Sequence, residues 1–180
     1  MADPLSITTG VLTLLGTCIS VVRIIKDFRD GAAIVDVQIK GLLSDVEGFA
    51  QVLRLMKDTL EEEKVKSSLQ ATGHIGNHWN NLSTTISDGQ NTLVQLQNTL
   101  DKANKMVGVL DRPRKHIRLK GAAEDIAMFQ QQIRCYRDTI QLSLQTVILL
   151  VACQIYFACC HTHRLHVEQM EPGDFQGVNG

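Results

Sequence analysis

The stretch of sequence that decides the fold is residues 3–23, which read DPLSITTGVLTLLGTCISVVR and carry no charge between the two ends. Asp3 and Pro4 suit the start of a helix, because a carboxylate caps free backbone N–H groups and proline needs no N–H there. We therefore predict a first helix over residues 4–29. Its predicted buried stripe recurs at steps of three and four and consists of Val11, Leu15, Cys18, Val22 and Ile25, widened by Leu12, Leu14, Ile19, Val21 and Ile24.

The opposite face of this helix carries hydroxyls instead of charges. Hydroxyl side chains can bond to their own helix backbone, so the helix is compatible with a protein core or with a bilayer. The run is near the length of about 20 residues that spans a membrane. A bundle helix is the favoured interpretation, with a conditionally membrane-active helix and a permanent anchor as alternatives. A signal peptide is disfavoured, because Asp3 precedes the run and no Lys or Arg does.

Three further amphipathic helices are expected over residues 32–62, 78–106 and 118 to at least 151. No segment alternates as a strand does. The sequence thus predicts an all-α, up-and-down bundle of four long helices over residues 1–150. Residues 151–180 are expected to form an apolar helix extension and a flexible, disordered C-terminal tail from His161 onward. On the second helix we expect an exposed side with Asp36, Lys40, Asp45, Glu47 and Arg54.

The composition limits the function classes. The 180 residues are 44% hydrophobic with a net charge of −1, so one domain can bury a large core and no basic field marks a nucleic-acid binder. Five cysteines without a regular framework predict reduced thiols and a cytoplasmic protein. Cys18 and Cys135 are expected to pack in the core.

No motif of catalysis is present, neither a glycine-rich phosphate loop nor GxSxG nor HExxH. We predict no enzyme, no cofactor and no small-molecule substrate. A zinc site needs four thiolate or imidazole ligands at suitable spacing, and the one late cluster fits no such pattern, so no metal is predicted. That cluster consists of Cys159, Cys160, His161, His163 and His166, and the pair His74 and His78 is interpreted as part of a polar turn.

A basic cluster precedes the last helix. One interpretation is a solvated loop. The other is attraction to anionic lipid headgroups, where each Lys or Arg near the surface contributes about 1 kcal/mol. The cluster consists of Arg112, Arg114, Lys115, Arg118 and Lys120.

Two segments carry a resemblance to a known family. The opening MADPLSI with the following VLTLLG, and the late IRLK, EDI and QIRCYRDTIQLSL runs, resemble the N-terminal domains of fungal STAND proteins, the NOD-like receptors of fungi. That group includes HeLo-like domains and the domain named after the azaphilone pigment cluster protein L. The resemblance covers residues 1–150.

The resemblance implies an all-helical signalling or cell-death effector domain, placed ahead of a nucleotide-binding switch or ankyrin repeats. In such domains the first helix is released on activation, and oligomers then damage the plasma membrane. This sequence shows no nucleotide-binding motif or repeat array after residue 150, and no amyloid-type signalling motif before the first helix.

From these patterns we expect homo-oligomers or other helical domains as partners, with recruitment from the cytoplasm to an anionic plasma membrane and no binding of nucleic acid. Leu12, Leu15, Ile19 and Val22 are the residues expected to insert, and the basic cluster is expected to hold the headgroups. The alternative is a passive helical interaction or scaffold module without membrane activity, dimerising through residues 147–160. A tail anchor over residues 142–160 is a further alternative, weakened by Gln145 and Gln154.

Overall fold

A computed structural model describes residues 4–30, 37–63, 65, 76–105 and 123–168. Four long helices account for nearly all of these residues, and none of the described residues is in a strand. The all-α prediction is therefore confirmed. The helices are α1 (Pro4–Asp30), α2 (Val37–Glu61), α3 (Gly76–Lys105) and α4 (Ala123–Glu168).

The directions of the helices alternate along the chain, as predicted for an up-and-down bundle. Lys26 of α1 pairs with Glu47 of α2 while Ile19 and Arg54 line the same groove, so these helices are antiparallel. Along α1 and α3, Gly10 lies against Ile86 and Thr17 bonds Gln90, so α3 runs parallel to α1.

The order of the helices around the bundle differs from their order in the chain. In α2 and α4, Gly41 lies beside Gln130 and Gly48 beside Arg137, so these two helices are parallel neighbours. α1 packs mainly against α2 and α3, and α4 packs against the same two. The order around the bundle is therefore α1–α2–α4–α3, and the connection from α2 to α3 joins diagonal corners. Residues 62–75 are ample for a diagonal of about 14 Å.

The core follows a seven-residue repeat in every helix. Buried residues recur at alternating steps of three and four, the spacing at which the side chains of neighbouring helices interlock. In α4 the repeat changes once, since Tyr136, Ile140 and Leu144 follow at two successive steps of four. The apolar stripes that the spacing predicts for α2, α3 and α4 are buried wherever their side chains are described, except that Tyr136 is only partly buried. Three residues that the same spacing places on these stripes, Val35, Ala103 and Ala122, lie outside the described side chains.

The phase of the predicted stripe in α1 is partly wrong. Val11, Cys18 and Ile25 are fully buried as expected, but Leu15 and Val22 are only half-buried at the edge of the core. The fully buried positions between them are Leu14 and Val21. Because α1 lies between two neighbours, its innermost line faces both α2 and α3. That line consists of Ile7, Val11, Leu14, Cys18, Val21 and Ile25.

α4 is far longer than the other helices. It has 46 residues and is about 69 Å long, whereas α2 has 25 residues. Val151 is its last buried side chain among those described, and Ala152, Cys153 and Tyr156 are exposed. The helix continues to Glu168, so the segment 161–168 is helical where the sequence predicted fraying. Residues 169–180 of the predicted tail lie outside the described residues.

Candidate functional site

The four residues expected to insert into a membrane lie on the outer part of α1. Leu12 and Ile19 are 45% and 44% exposed, so their predicted place in the widened buried stripe is wrong. Leu15 and Val22 are half-buried and pack against the edge of the core. All four therefore lie on one side of α1, next to its innermost line and not on it. Leu12 and Ile19 reach solvent without any change in the bundle.

The hydroxyls lie on another outer face of α1, turned away from Leu12 and Ile19, and the helix backbone itself satisfies two of them. Thr13 Oγ1 donates to the carbonyl oxygen of Thr9 over 3.0 Å, and Thr17 Oγ1 lies 3.2 Å from that of Thr13. Hydroxyls bonded in this way need no water, which lowers the cost of moving this face into an apolar environment. The hydroxyl face predicted from the sequence therefore behaves as expected.

Polar contacts to both neighbouring helices help to hold α1 in place. Gln90 Nε2 of α3 donates to Thr17 Oγ1 over 2.9 Å in a partly buried position. Lys26 Nζ lies 2.9 Å from Glu47 Oε1 of α2, where both side chains are nearly half exposed. Exposed ion pairs contribute about 0–1 kcal/mol, so apolar packing holds α1 far more than these contacts do.

A groove between α1 and α2 runs beside the Lys26–Glu47 pair. It has an apolar floor and a polar rim, and it is open to solvent. Its lining includes two of the residues expected to insert, Ile19 and Val22, together with Ala50, Gln51 and Arg54.

Cys18 lies beneath this surface and is fully buried, as predicted. Burial raises the pKa of its thiol to about 12, and the nearby charge of Arg54 opposes that shift only partly. A thiol held neutral in this way is a packing group and a poor nucleophile. Cys135 is exposed on α4, so its prediction as a core residue is wrong, because position 135 faces away from α2 and α3.

One buried polar cluster joins α2 to α4, and sequence reasoning missed it. Asp45 is only 7% exposed, which corrects its predicted place on the exposed side of α2. Arg134 Nε donates to Asp45 Oδ1 over 2.9 Å, and Gln130 Nε2 donates to Oδ2 over 3.1 Å. The carboxylate raises the pKa of Arg134 through this bond and its charge. Arg134 and Gln130 are four residues apart and share a helix face, but this spacing does not identify Asp45 as their common partner.

Other candidate sites fall on undescribed parts of the chain. The side chains of Cys159, Cys160, His161, His163, His166 and His78 are not described, and His74 lies outside the described residues. Where side chains are described, no three His, Cys, Asp or Glu residues are grouped to hold a metal ion. The whole basic cluster, Arg112, Arg114, Lys115, Arg118 and Lys120, also lies outside the described residues.

α1 is the only one of the described helices that is long and apolar enough to cross a membrane. The stretch Ser6–Asp27 has a mean hydropathy of 1.7 over its most apolar window. Only 28% of that window is buried in the bundle, although its innermost line is fully covered. Length and composition permit a span, and core helices of soluble proteins meet the same criterion.

Comparison with protein families gives one match that covers most of the chain. The family model described as pigment biosynthesis cluster protein PigL N-terminal matches residues 2–164. Comparison with curated proteins and with solved structures gives no match. The matched region contains all of α1, α2 and α3 and most of α4. The resemblance to the azaphilone cluster protein type is therefore confirmed, and the chain belongs to the PigL N-terminal family.

Proposed function

We propose that this chain is a non-enzymatic signalling domain of the fungal NOD-like receptor type that acts at the plasma membrane through α1. At rest it is cytoplasmic and α1 completes the bundle. On activation the copies oligomerise and α1 exchanges the bundle for lipid, which promotes programmed cell death in innate immunity or heterokaryon incompatibility. The family membership supports the domain type, and the properties of α1 support the mechanism.

The observation that carries this proposal is that α1 is apolar on two sides. Its inner line is at most 1% exposed, while Leu12 and Ile19 leave nearly half their surface in water on the outside. A surface helix of a globular domain normally has a charged outer face. No side chain from Pro4 to Val22 is charged, and Thr13 and Thr17 bond to the helix backbone.

The free energy of apolar burial explains why α1 can leave the bundle only when another apolar environment takes up its buried side chains. Fully burying an aliphatic side chain contributes about 1.5–3 kcal/mol. The five buried aliphatic residues of α1 therefore contribute about 8–15 kcal/mol, which equals the whole stability of a typical domain. Exposing them to water would unfold the bundle. A bilayer or a set of partner helices can replace the lost apolar environment. These residues are Ile7, Val11, Leu14, Val21 and Ile25.

The basic cluster is proposed to bind anionic headgroups and to hold the bundle near the bilayer. Five cations at about 1 kcal/mol each amount to a moderate, salt-dependent attraction. The residues are Arg112, Arg114, Lys115, Arg118 and Lys120.

Leakage of dye from anionic vesicles tests this function. The double variant Leu12→Glu with Ile19→Glu adds charges only where side chains are already exposed, so the bundle should remain folded. We expect the wild type to cause leakage and this variant to lose it. Leu55→Glu on α2, where the side chain is 54% exposed, is the matched control and should leak like the wild type. Wild-type protein that leaves the vesicles intact at every concentration contradicts the proposal.

A reversible lock tests whether α1 must leave the bundle. A Cβ placed on Gly10 would lie 3.1 Å from Ile86 Cγ2, so Gly10→Cys with Ile86→Cys places two thiols within reach across α1 and α3. We expect the oxidised form to be inactive and dithiothreitol to restore leakage. Equal leakage from the oxidised and reduced forms contradicts release of α1.

A passive scaffold is the second candidate function. It is favoured by the exposed apolar side chains of α4, among which Leu142 and Leu149 are nearly two-thirds exposed. A scaffold would leave anionic vesicles intact at every concentration and still associate in solution.

A further inference from the structure

The outer face of α4 carries a column of exposed side chains that recur every seven residues. Met128, Leu142, Leu149 and Tyr156 are 48%, 65%, 64% and 68% exposed, and Cys135 completes the series. None of these side chains is buried in the core of the bundle. A second repeat with the spacing of the buried lines is therefore present on the outside of the same helix.

From Cys135 onward, the positions four residues further along complete this line, whereas the corresponding position after Met128 is the partly buried Gln132. Thr139 Oγ1 donates to the carbonyl oxygen of Cys135 over 2.8 Å, and Thr146 Oγ1 donates to that of Leu142 over 2.9 Å. Both hydroxyls are thus already bonded, and Cys153 is exposed. We call the following residues the outer seam: Met128, Cys135, Thr139, Leu142, Thr146, Leu149, Cys153 and Tyr156.

The shape of the outer seam fits another helix better than a flat bilayer. Its first half is narrow, because the exposed charges of Arg134 and Asp138 flank it, whereas the exposed side chains of Ile148 and Leu150 widen its second half. A bilayer would have to take up these charges at high cost. A helix that lies along the seam would leave them at the edge in water. Steps of three and four are also the spacing that a neighbouring helix can follow over many turns.

We propose that the outer seam binds a second copy of this chain with the two α4 helices antiparallel. Beyond Val151 the helix continues for 17 residues to Glu168, and isolated helices of this length are marginal in water. In an antiparallel pair, the extension of each copy lies along the bundle part of the other. Both copies then receive the same contact, as a two-fold interface requires.

The spacing permits registers that differ by seven residues, and among these we take the one in which the two α4 helices overlap most completely. In this antiparallel pair, residues of the column that recurs every seven residues face the positions four residues further along on the partner. Leu142 then meets Thr146 of the second copy, and Cys135 meets Cys153. The two-fold axis passes beside residue 144, close to the midpoint of α4. By sequence position alone, acidic Glu124 comes level with basic Arg164 of the second copy.

The area available is close to what a stable dimer needs. The overlap in this register is about 60 Å long, and helix pairs lie about 10 Å apart. Each copy therefore contributes about 600 Å², compared with about 800 Å² per partner in a standard stable interface. We expect a dimer that dissociates on dilution. It does not depend on the proposed membrane function, so vesicle leakage and dimerisation can fail independently.

Light scattering across a dilution series tests the dimer. The wild type should change from dimer to monomer on dilution, and Leu142→Glu with Leu149→Glu should be monomeric throughout with an unchanged circular dichroism spectrum. Leu55→Glu, exposed on α2, should behave like the wild type. A wild type that is monomeric at every concentration overturns the proposal, as does a double variant that still dimerises.

Oxidative cross-linking tests the direction of the pair. In a chain with Cys159→Ser and Cys160→Ser, copper phenanthroline should give a covalent dimer through Cys135 and Cys153. Either Cys135→Ser or Cys153→Ser alone should abolish the covalent dimer. A covalent dimer that survives in either single variant indicates parallel helices and overturns the antiparallel register.

Discussion

Arg134 and Asp45 lie on parallel neighbouring helices, and their side chains join over 2.9 Å. The carboxylate is nearly buried while the guanidinium is more than half exposed. The ion pair therefore lies at the edge of the core, with Arg134 on the solvent side. Gln130 binds the second carboxylate oxygen. Because a buried carboxylate is costly without partners, this arrangement fixes the register between α2 and α4.

Arg134→Leu should lower the urea midpoint more than Arg137→Leu does. Loss of Arg134 leaves the buried Asp45 carboxylate with one donor, whereas Arg137 bonds the exposed, adjacent Asp138. The double variant Asp45→Leu with Arg134→Leu should recover part of the loss, because no lone buried charge remains. Urea titrations of the three variants measure this order. Equal midpoints for Arg134→Leu and Arg137→Leu would show that the pair does not stabilise the bundle.

Gly89 occupies a core position in the repeat of α3, where Phe49 and Leu14 fill the space that a side chain would take. An added Cβ would lie 3.6 Å from Phe49 Cζ and 3.5 Å from Leu14 Cδ2, which is ordinary contact. Gly89→Ala should therefore raise the free energy of unfolding by up to about 1 kcal/mol through helix propensity. Gly89→Leu should lower it, because the larger side chain must displace both neighbours.

Gly16 and Gly10 provide matched controls for this prediction. A Cβ at Gly16 meets nothing within 4 Å, so Gly16→Ala should gain about the same 1 kcal/mol. A Cβ at Gly10 meets Ile86 Cγ2 at 3.1 Å, so Gly10→Ala should gain less. Thermal and chemical unfolding rank the three variants. A larger gain at Gly10 than at Gly16 would contradict this packing.

The phase of α1 can be tested with two leucines two residues apart. Leu14 is fully buried and Leu12 is 45% exposed. Leu14→Ala should cost about 2–5 kcal/mol of unfolding free energy, as buried leucines do, and Leu12→Ala less than about 1 kcal/mol. Similar costs at the two sites, measured by urea titration, would mean that α1 is rotated from the position described.

Cys18 should give the stability a distinct dependence on pH. Its folded pKa of about 12 lies above the ordinary value of 9.0, so the folded state favours the neutral thiol. This contribution is complete below about pH 9 and is lost as the pH rises towards 12. The stability advantage over Cys18→Ala should therefore shrink by about 1.4 kcal/mol per pH unit above about pH 9. Urea titrations under reducing conditions measure both proteins, and parallel pH profiles would contradict the burial of this thiol.

Much of the fold follows from apolar spacing, and α1 shows where spacing fails. In α2 the buried line from Ile39 to Leu60 lies opposite a face that carries charged residues. The sequence alone therefore shows which side of α2 is buried. In α1 apolar residues occur on nearly every side, so Leu14 and Leu15 are equally plausible core residues. Only the positions of α2 and α3 decide between them. The order of helices around the bundle is likewise open in the sequence, because the connections are long enough for either arrangement.

The candidate site was only partly accessible from sequence. The uncharged outer face of α1 could be predicted, because no tertiary contact is needed to recognise it. The Asp45 cluster could not, because a single carboxylate on an amphipathic helix resembles a surface residue, and its partners are 85 and 89 residues away in the chain.

The diagonal placement of α1 and α4 has a consequence for how the domain could work. α2 and α3 lie between these two helices. A copy that dimerises along α4 therefore keeps α1 on the side of the bundle away from the dimer interface. Dimerisation would then neither cover α1 nor restrain it, and each dimer would present two α1 helices, one on each outer side.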